Sequence, residues 1–276
     1  MSLAAHRTDP DAVPSSSPAV LDYVARVERL GRQGPAPLRQ LHYGPDRAQR
    51  IDVYAPPGAR DLPVLLFLHG GAWIDGHLGW LRFMAEPAMR RGALFVAATY
   101  RLAPRHRWPA QAQDAVAALA FVRAHAAGWG GDPARIVIGG HSAGGQLAAV
   151  VALTAGAGAV GGCMPVSAPF DLRHGDVPDG DDRARVYRHL LERAEDDAAA
   201  SPLLLADRTT VPFHVVWGER DLPHVARSGA AMVERLGARA THDVLADATH
   251  FDTHLGLSDP ASPWYDRLRA FWAGGR

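Results

Sequence analysis

The residues at positions 140–144 read Gly-His-Ser-Ala-Gly, with Ser142 at the centre of the pattern. A β-branched run precedes them at 135–138, and residues 147–153 follow with a spacing that suits an α-helix. Strand, sharp turn and helix form the context in which a serine between two glycines becomes an exposed nucleophile. Both glycines are needed because a Cβ beside such a turn would press on the neighbouring chain. The pattern therefore predicts that Ser142 is a nucleophile.

A second glycine-rich turn, His-Gly-Gly-Ala-Trp at 69–73, directly follows the continuous apolar run 64–68. Such a run is typical of a strand that is buried on both faces of a parallel sheet. Glycines after that strand allow backbone N–H groups to turn toward a site without steric hindrance. Together with the nucleophile, they predict an oxyanion hole that is formed by the N–H groups of Gly71, Ala72 and Ala143.

Two further strand ends carry an acid and a base. The apolar run 211–217 ends just before Asp221, and the run 241–245 leads into His250. Because the carboxyl ends of parallel strands meet at one edge of a sheet, we expect these side chains beside the serine. His250 would take the proton of Ser142 and later protonate the leaving group, while Asp221 would hold the imidazole tautomer.

Other residues compete for the roles of base and acid. His242 falls inside the last predicted strand, and His254 comes later than the expected base, where a helix could begin. Glu219 and Asp247 are the alternative acids near the same strand ends. The chain has no His-Glu-x-x-His motif to accompany its i, i+4 pair of histidines. We therefore expect a site with neither a metal ion nor a cofactor.

Trp73 and His141 are the candidates for substrate binding. Trp73 directly follows the glycines of the predicted oxyanion loop, so we expect its ring to line the pocket. His141 stands beside the nucleophile, where a structural role is the alternative to a contact with substrate. Asp114 lies in a predicted helix and is interpreted as structural.

The composition of the 276-residue chain is that of a folded protein, with 47% hydrophobic residues. Its 29 basic and 29 acidic residues are scattered, which predicts no nucleic-acid partner. No apolar run reaches the ~20 residues of a membrane span, and the start of the chain lacks the apolar stretch of a secretory signal. Cys163 is the single cysteine, so no disulfide forms within the chain. We expect a cytoplasmic protein, and a homodimer is compatible with this sequence.

Eight apolar runs alternate with helical patterns after the first two, which predicts an α/β architecture with a mostly parallel, eight-stranded sheet flanked by helices. Helices are predicted over 19–30, where Gly31 would end the helix, and over 78–91. We expect residues 1–37 to form an N-terminal arm and helix and residues 38–276 to form the main domain. The polar stretch 170–205, with a helix at 183–193, is predicted to be a small cap over the site, to which the arm contributes.

The order oxyanion loop, serine, acid and histidine is that of α/β-hydrolases. On these motifs the chain resembles the hormone-sensitive-lipase-like esterase branch of that superfamily. Further matching residues lie at 100–104, 108–110, 114, 201–202 and 218–220. The resemblance spans roughly residues 40–272 and implies an α/β-hydrolase fold with a small helical cap. Ala72 stands where these proteins commonly have a third glycine, and Arg105 stands where they have an acidic residue.

The resemblance implies a cofactor-free carboxylesterase that cleaves small esters through an acyl-enzyme. The His-Gly-Gly-x-Trp turn and the His-Phe-Asp sequence at 250–252 are also similar to arylformamidases, which hydrolyse N-formylkynurenine. That activity is the first alternative. A non-catalytic ligand-binding receptor of the same fold is the second, since a fold does not dictate a function.

Overall fold

The computed structural model describes residues 12–13, 17–155, 158–174, 183–184 and 186–273. The predictions for the start of the arm and for residues 175–182 of the insertion lie outside the described residues. The strands within them are β1 (Arg39–His42), β2 (Arg50–Tyr54), β3 (Leu62–Leu68), β4 (Leu94–Ala98), β5 (Gly131–His141), β6 (Gly162–Val166), β7 (Phe213–Arg220) and β8 (Ala240–Thr249).

These strands form one sheet in the order β1-β2-β4-β3-β5-β6-β7-β8. The pairs β1–β2 and β2–β4 are antiparallel, and each of the other neighbouring pairs is parallel. The predicted eight-stranded, mostly parallel sheet is therefore confirmed. Its consequence for the site is geometric, because the carboxyl ends of β3, β5, β6, β7 and β8 meet at one edge.

Helices cover both faces of the sheet. They are α1 (Pro18–Gln33), α2 (Ala85–Arg90), α3 (Ala110–His125), α4 (Ala143–Thr154), α5 (Pro223–Leu236), α6 (Asp252–Leu255) and α7 (Pro263–Ala273). Side chains of β3 alternate between the two faces. Leu66 and Leu68 belong to the apolar core with α3 and α4, whereas Leu65 and Phe67 belong to the core with α1 and α7. The apolar run of β3 is thus explained by burial on both sides.

The prediction that the first helix ends at Gly31 is wrong, because α1 continues to Gln33. Gly31 is buried inside the helix, where it faces the loop that contains Gly79. A Cβ at Gly31 would lie 2.4 Å from the carbonyl oxygen of Gly79. The glycine therefore serves close packing of α1 on that loop rather than helix termination.

The single helix predicted over 78–91 is also wrong. Two short 3₁₀ turns, Leu78–Trp80 and Arg82–Met84, precede α2 in this region. Pro87 gives the physical reason, since it lacks the N–H that a continuous α-helix would use to bond residue 83. The break thus lies one turn before the proline.

Within the described part of the helix predicted over 183–193, Ala184 is α-helical and Val186–Leu190 forms one π-helical turn. Two apolar side chains at the end of this turn are buried, since Leu190 and Leu191 are each only 1% exposed. The backbone N–H of Trp108 donates to the carbonyl of Leu190 at 2.8 Å, which attaches this turn to the main domain.

The packing of Gly31 yields a stability prediction. Gly31→Ala should lower the free energy of unfolding by about 1–3 kcal/mol, because its Cβ would overlap a backbone oxygen that has little freedom to move. The matched control is Gly256→Ala, since Gly256 has a helical φ of −62° and open space around its Cβ position. Urea unfolding of both variants checks this, and equal midpoints for the two would contradict the packing argument.

Candidate active site

Ser142 occupies a strained turn between β5 and α4, with φ of 52° and ψ of −121°. Its backbone N–H donates to the carbonyl of Val166 on the neighbouring strand at 2.9 Å. A Cβ on Gly140 would lie 2.3 Å from the carbonyl of Gly144, and a Cβ on Gly144 would lie 2.3 Å from the carbonyl of Leu68. The turn therefore requires glycine at positions 140 and 144, two residues before and two residues after the serine, as the sequence predicts.

The candidate nucleophile, acid and base converge at one edge of the sheet. Each of them is the first residue after a strand: Ser142 after β5, Asp221 after β7 and His250 after β8. The hydroxyl oxygen of Ser142 lies 3.0 Å from Nε2 of His250. Nδ1 of the same imidazole lies 2.7 Å from Oδ1 of Asp221. This continuous chain of hydrogen bonds has the geometry that base-assisted attack by a serine requires.

The carboxylate of Asp221 is buried and its oxygens are well supplied with donors. Oδ1 also accepts from the backbone N–H of Leu222 at 2.7 Å, and Oδ2 accepts from the N–H of Gly218 at 3.1 Å. The hydroxyl of Ser167 donates to Oδ2 at 2.5 Å. Burial alone would raise the pKa of Asp221, but the hydrogen bonds and the charge of His250 outweigh burial and hold that pKa below its ordinary value. Asp221 is therefore ionised at neutral pH.

The competing residues lie elsewhere. His242 is exposed on β8, where its ring stacks on Trp217. Glu219 is also exposed and accepts a hydrogen bond from the backbone N–H of Asp247. Their positions favour Asp221 and His250 for the two roles.

His254, the remaining competitor, is fully buried beneath the site. Its Nδ1 lies 2.9 Å from the hydroxyl of Tyr23, and its ring stacks on that of His141 with a centroid distance of 4.8 Å. Burial, assisted by the charges of His250 and His69, lowers the pKa of His254 to about 3. The ring is thus neutral and serves packing.

His141 lies at the floor of the site with only 1% of its surface exposed. Its Nε2 lies 2.9 Å from the backbone carbonyl of His250. Since a carbonyl oxygen only accepts, Nε2 carries the proton of this imidazole. The contact favours a role in holding His250 over the predicted contact with substrate.

Helix α1 contacts the loop that carries His250. The ring of Tyr23 stacks on Phe251 with a centroid distance of 4.6 Å, and Arg26 pairs with Asp252 at 3.4 Å. The N-terminal helix therefore helps to fix the position of the candidate base, in addition to its packing on the core.

The candidate oxyanion loop has three consecutive residues, 71–73, with positive φ angles of 116°, 50° and 61°. The carbonyl of Gly71 accepts from the N–H of Asp75 at 3.0 Å, which closes the turn. A Cβ on Gly71 would lie 2.1 Å from the carbonyl of Asp75, so glycine is required there. Ala72 is exposed to the site, and Ala143 is the first residue of α4, where a helical N–H has no partner within its own helix.

A buried glutamine fixes this loop to the helix that follows the nucleophile. Nε1 of Trp73 donates to Oε1 of Gln146 on α4 at 3.0 Å. Nε2 of Gln146 donates to the carbonyl of Ala200 at 2.7 Å, at the end of the insertion. The side chain of Gln146 is fully buried, so it joins these three segments in the interior of the protein, where a hydrogen bond is electrostatically stronger than in water.

A cavity of about 270 Å³ opens over Ser142 and His250. Its walls are largely apolar, with residues from α1, the oxyanion loop, the insertion and the start of α5. They include Val20, Tyr23, Trp73, Trp80, Leu172, Val186, Val225 and Phe251. His224 also lines the cavity, and burial, followed by the charges of His174, His250 and Arg183, lowers its pKa to about 4. Its imidazole is therefore neutral at pH 7.

Sequence reasoning missed Ser167, Gln146 and Tyr23. Ser167 is the first residue after β6, so the strand-end rule that indicates the other site residues could have found it. Gln146 and Tyr23 had no such signal, because their partners lie 73 and 231 residues away in the chain.

Comparison with known proteins gives independent information. The family model described as alpha/beta hydrolase fold matches residues 65–252. Esterase LipC of Mycobacterium tuberculosis is 31% identical over 221 residues, which cover 72% of this chain and 55% of that protein. Carboxylesterase NlhH of the same organism is 46% identical over 104 residues, which cover 37% of this chain and 33% of that protein. The matches thus span about half, or less, of these curated relatives.

The structural comparison extends over more of the chain. The crystal structure of EstE1, a thermophilic and thermostable carboxylesterase cloned from a metagenomic library, is similar with a TM-score of 0.77 and 27% identity. The similarity covers 95% of this chain and 98% of EstE1. Separately, no helix in the described part of the chain has the length and apolar character that crossing a membrane requires.

The contacts of Gln146 yield a prediction about the oxyanion loop. Gln146→Met should lower kcat/KM by about tenfold or more, because the Trp73 indole and the Ala200 carbonyl would lose their buried partners and the loop its anchor. The matched control, Gln113→Met, changes an exposed glutamine on α3. Ester hydrolysis by both variants checks this, and equal activity would contradict it.

Proposed function

Because the chain belongs to the alpha/beta hydrolase fold family, we propose that it is a serine hydrolase that cleaves small carboxylic esters. The observation that carries the proposal is the hydrogen bond of 3.0 Å between the strained Ser142 and Nε2 of His250, with Asp221 behind the imidazole. The names of the relatives support an esterase. Those relatives are longer than the matched region, so the main support for the activity is the arrangement of this chain's own residues.

In the proposed reaction, Ser142 Oγ attacks the ester carbonyl carbon while Nε2 of His250 takes the hydroxyl proton. The N–H groups of Gly71, Ala72 and Ala143 bind the resulting oxyanion. Collapse of the tetrahedral intermediate expels the alcohol, which receives the proton from His250, and leaves an acyl-enzyme. His250 then deprotonates a water molecule, and the attack of this water releases the carboxylic acid and restores the hydroxyl of Ser142.

The negative charge of Asp221 orients and stabilises the imidazole of His250 throughout this cycle. It accepts a hydrogen bond from Nδ1 of His250, which leaves Nε2 free to face the serine. It also stabilises the imidazolium that forms during each half-reaction. Because the pKa of Asp221 is held low, its charge persists over the range in which esterases are assayed.

The substrate side of the proposal follows from the cavity. Its apolar walls and the neutral His224 suit an uncharged acyl group, and its volume of about 270 Å³ suits a small one. Trp73 lies in the wall with its indole N–H already bonded to Gln146, so it offers substrate an apolar face.

We propose that residues 170–205 act as a cap over this cavity, with the N-terminal segment 1–37 contributing and residues 38–276 forming the hydrolase domain. Leu172 and Val186 line the cavity from the insertion, and Val20 and Tyr23 line it from α1. The guanidinium of Arg107 donates to the carbonyls of Leu191 and Arg188, which attaches the insertion to the main domain.

The arylformamidase alternative and the receptor alternative stay open to experiment. Faster hydrolysis of N-formylkynurenine than of p-nitrophenyl esters would favour an arylformamidase. A cytoplasmic location, a homodimer, and the absence of a cofactor, a metal ion and a nucleic-acid partner stay predictions from the sequence.

Labelling of the nucleophile tests the proposed function. The wild-type protein should react with a fluorophosphonate probe and hydrolyse p-nitrophenyl butyrate, whereas Ser142→Ala should not be labelled and should lose about four to six orders of magnitude in kcat. The matched control is Ser228→Ala, which removes a buried hydroxyl that bonds Phe170 and Val225. An unlabelled wild type would favour a receptor.

Acyl-chain selectivity tests the cap. Val20→Trp should lower kcat/KM for p-nitrophenyl hexanoate relative to the acetate by about tenfold, because a large ring would fill the cavity from α1. Leu21→Trp is the matched control, since Leu21 is the next residue of α1 and is 53% exposed. An unchanged ratio in the Val20 variant would contradict this cap contribution.

A further inference from the structure

Ser167 follows β6 directly and adopts a left-handed backbone conformation with φ of 47°. This conformation is uncommon for residues with a Cβ and persists where the surrounding structure requires it. The backbone N–H of Ser167 donates to the carbonyl of Val216 on β7 at 2.7 Å, and its side chain is fully buried. The residue is therefore held in place by the sheet, and its hydroxyl has a fixed direction.

The hydroxyl of Ser167 lies between two polar groups of the site. Its oxygen is 2.5 Å from Oδ2 of Asp221 and 2.7 Å from Oγ1 of Thr253. Thr253 stands on α6 and is only 1% exposed. Its hydroxyl oxygen also lies 2.9 Å from the backbone carbonyl of His250.

Counting hydrogens assigns the direction of these bonds. An ionised carboxylate only accepts, so the single hydroxyl hydrogen of Ser167 lies toward Asp221. The hydroxyl hydrogen of Thr253 has two acceptors in reach, the oxygen of Ser167 at 2.7 Å and the carbonyl of His250 at 2.9 Å, and we assign it to the shorter contact with Ser167. The carbonyl of His250 does not depend on Thr253, because Nε2–H of His141 donates to it at 2.9 Å.

We propose that Thr253 and Ser167 form a donor chain, from Thr253 to Ser167 to Asp221, which positions the carboxylate and moderates its attraction for the imidazolium of His250. Both are positioning residues, since they act through Asp221 and do not contact the reacting atoms. The inference rests on the proposed function, because it assigns the two hydroxyls to the acid of that site.

The effect on the base follows from electrostatics. A donated hydrogen bond spreads the negative charge of a carboxylate, and a chain of hydroxyls strengthens that bond. Without Ser167, more of the charge would act on His250, and the imidazolium would persist to higher pH. The base would then become active only at higher pH.

The three histidine side chains around His250 are neutral at pH 7, and the charge of Asp252 is paired with that of Arg26 at 3.4 Å. His141 on β5, His254 on α6 and His224 on α5 surround it, and burial is the main cause that lowers the pKa of each. The value is about 3 for His254 and about 4 for His224, and the pKa of His141 is well below its ordinary value. Asp221 is therefore the charge through which the hydroxyls act on the base.

The test is the pH profile of kcat/KM for p-nitrophenyl butyrate with Ser167→Ala. Its acid limb should move to higher pH by about half a unit. The plateau kcat should fall about tenfold with KM unchanged, because the carboxylate loses its fixed orientation. The matched control, Ser228→Ala, should leave the acid limb in place. An acid limb of Ser167→Ala that stays in place or moves to lower pH would overturn the proposal.

Two further variants keep the test decisive if Ser167→Ala folds poorly. Ser167→Gly removes the hydroxyl and also suits a positive φ, so it should fold and show the same shift. Thr253→Val should move the acid limb in the same direction by less. Added to Ser167→Ala, Thr253→Val should cause no further shift, because its hydroxyl acts through Ser167. A larger shift of the acid limb in the double variant than in Ser167→Ala would overturn the proposed donor chain.

A readout without turnover separates this proposal from the proposed function. The proton between Nδ1 of His250 and Asp221 should give a downfield proton NMR signal. The midpoint of the titration of this signal should move to higher pH in Ser167→Ala but not in Ser228→Ala. If the wild type hydrolyses no ester, the proposed function fails while the NMR titration still tests the donor chain. If the wild type is active and the signal titrates identically in all three proteins, the donor chain fails alone.

Discussion

The backbone at the end of β3 touches the start of α4 so closely that a Cβ on Gly144 would lie 2.3 Å from the carbonyl of Leu68 and 2.4 Å from that of His69. These two segments carry the two halves of the candidate site, since the oxyanion loop follows β3 and Ser142 precedes α4. A contact between backbones has no rotamers to absorb a displacement. The separation between Ser142 and the candidate oxyanion donors after β3 is therefore set by main-chain packing.

Near that contact, each of the four adjacent strands β5 to β8 is followed directly by one polar residue of the hydrogen-bonded site. These residues are Ser142, Ser167, Asp221 and His250. Both serines have a positive φ, as does Ala72 in the oxyanion loop. Strain of this kind is typical of functional sites, where surrounding structure holds residues in conformations that they would otherwise avoid. The parallel sheet thus places these residues side by side at one edge, and the strained turns orient their side chains toward one another.

Much of this arrangement could be predicted from the sequence because it depends on local signals. Buried strands read as apolar runs, and the residues after them must meet at one edge, which is how Ser142, Asp221 and His250 were indicated together. Their catalytic roles stay proposals that the geometry supports. The helix end predicted at Gly31 is wrong because a glycine that ends a helix and a glycine that admits a neighbouring backbone look alike in sequence. Gln146 gave no local signal, since its partners come from distant segments that meet only when the sheet closes.

The docking of α1 on the loop after β8 makes the stability of the site differ from the stability of the whole domain. Tyr23 and Arg26 reach Phe251, His254 and Asp252, which surround the candidate base, although the helix lies at the other end of the chain. The core cluster that joins one face of β3 and β5 to α4 contains no buried residue of this helix. Detachment of α1 is a local opening that costs less free energy than global unfolding. We therefore expect heating to loosen the support of the imidazole at temperatures where the sheet is still folded.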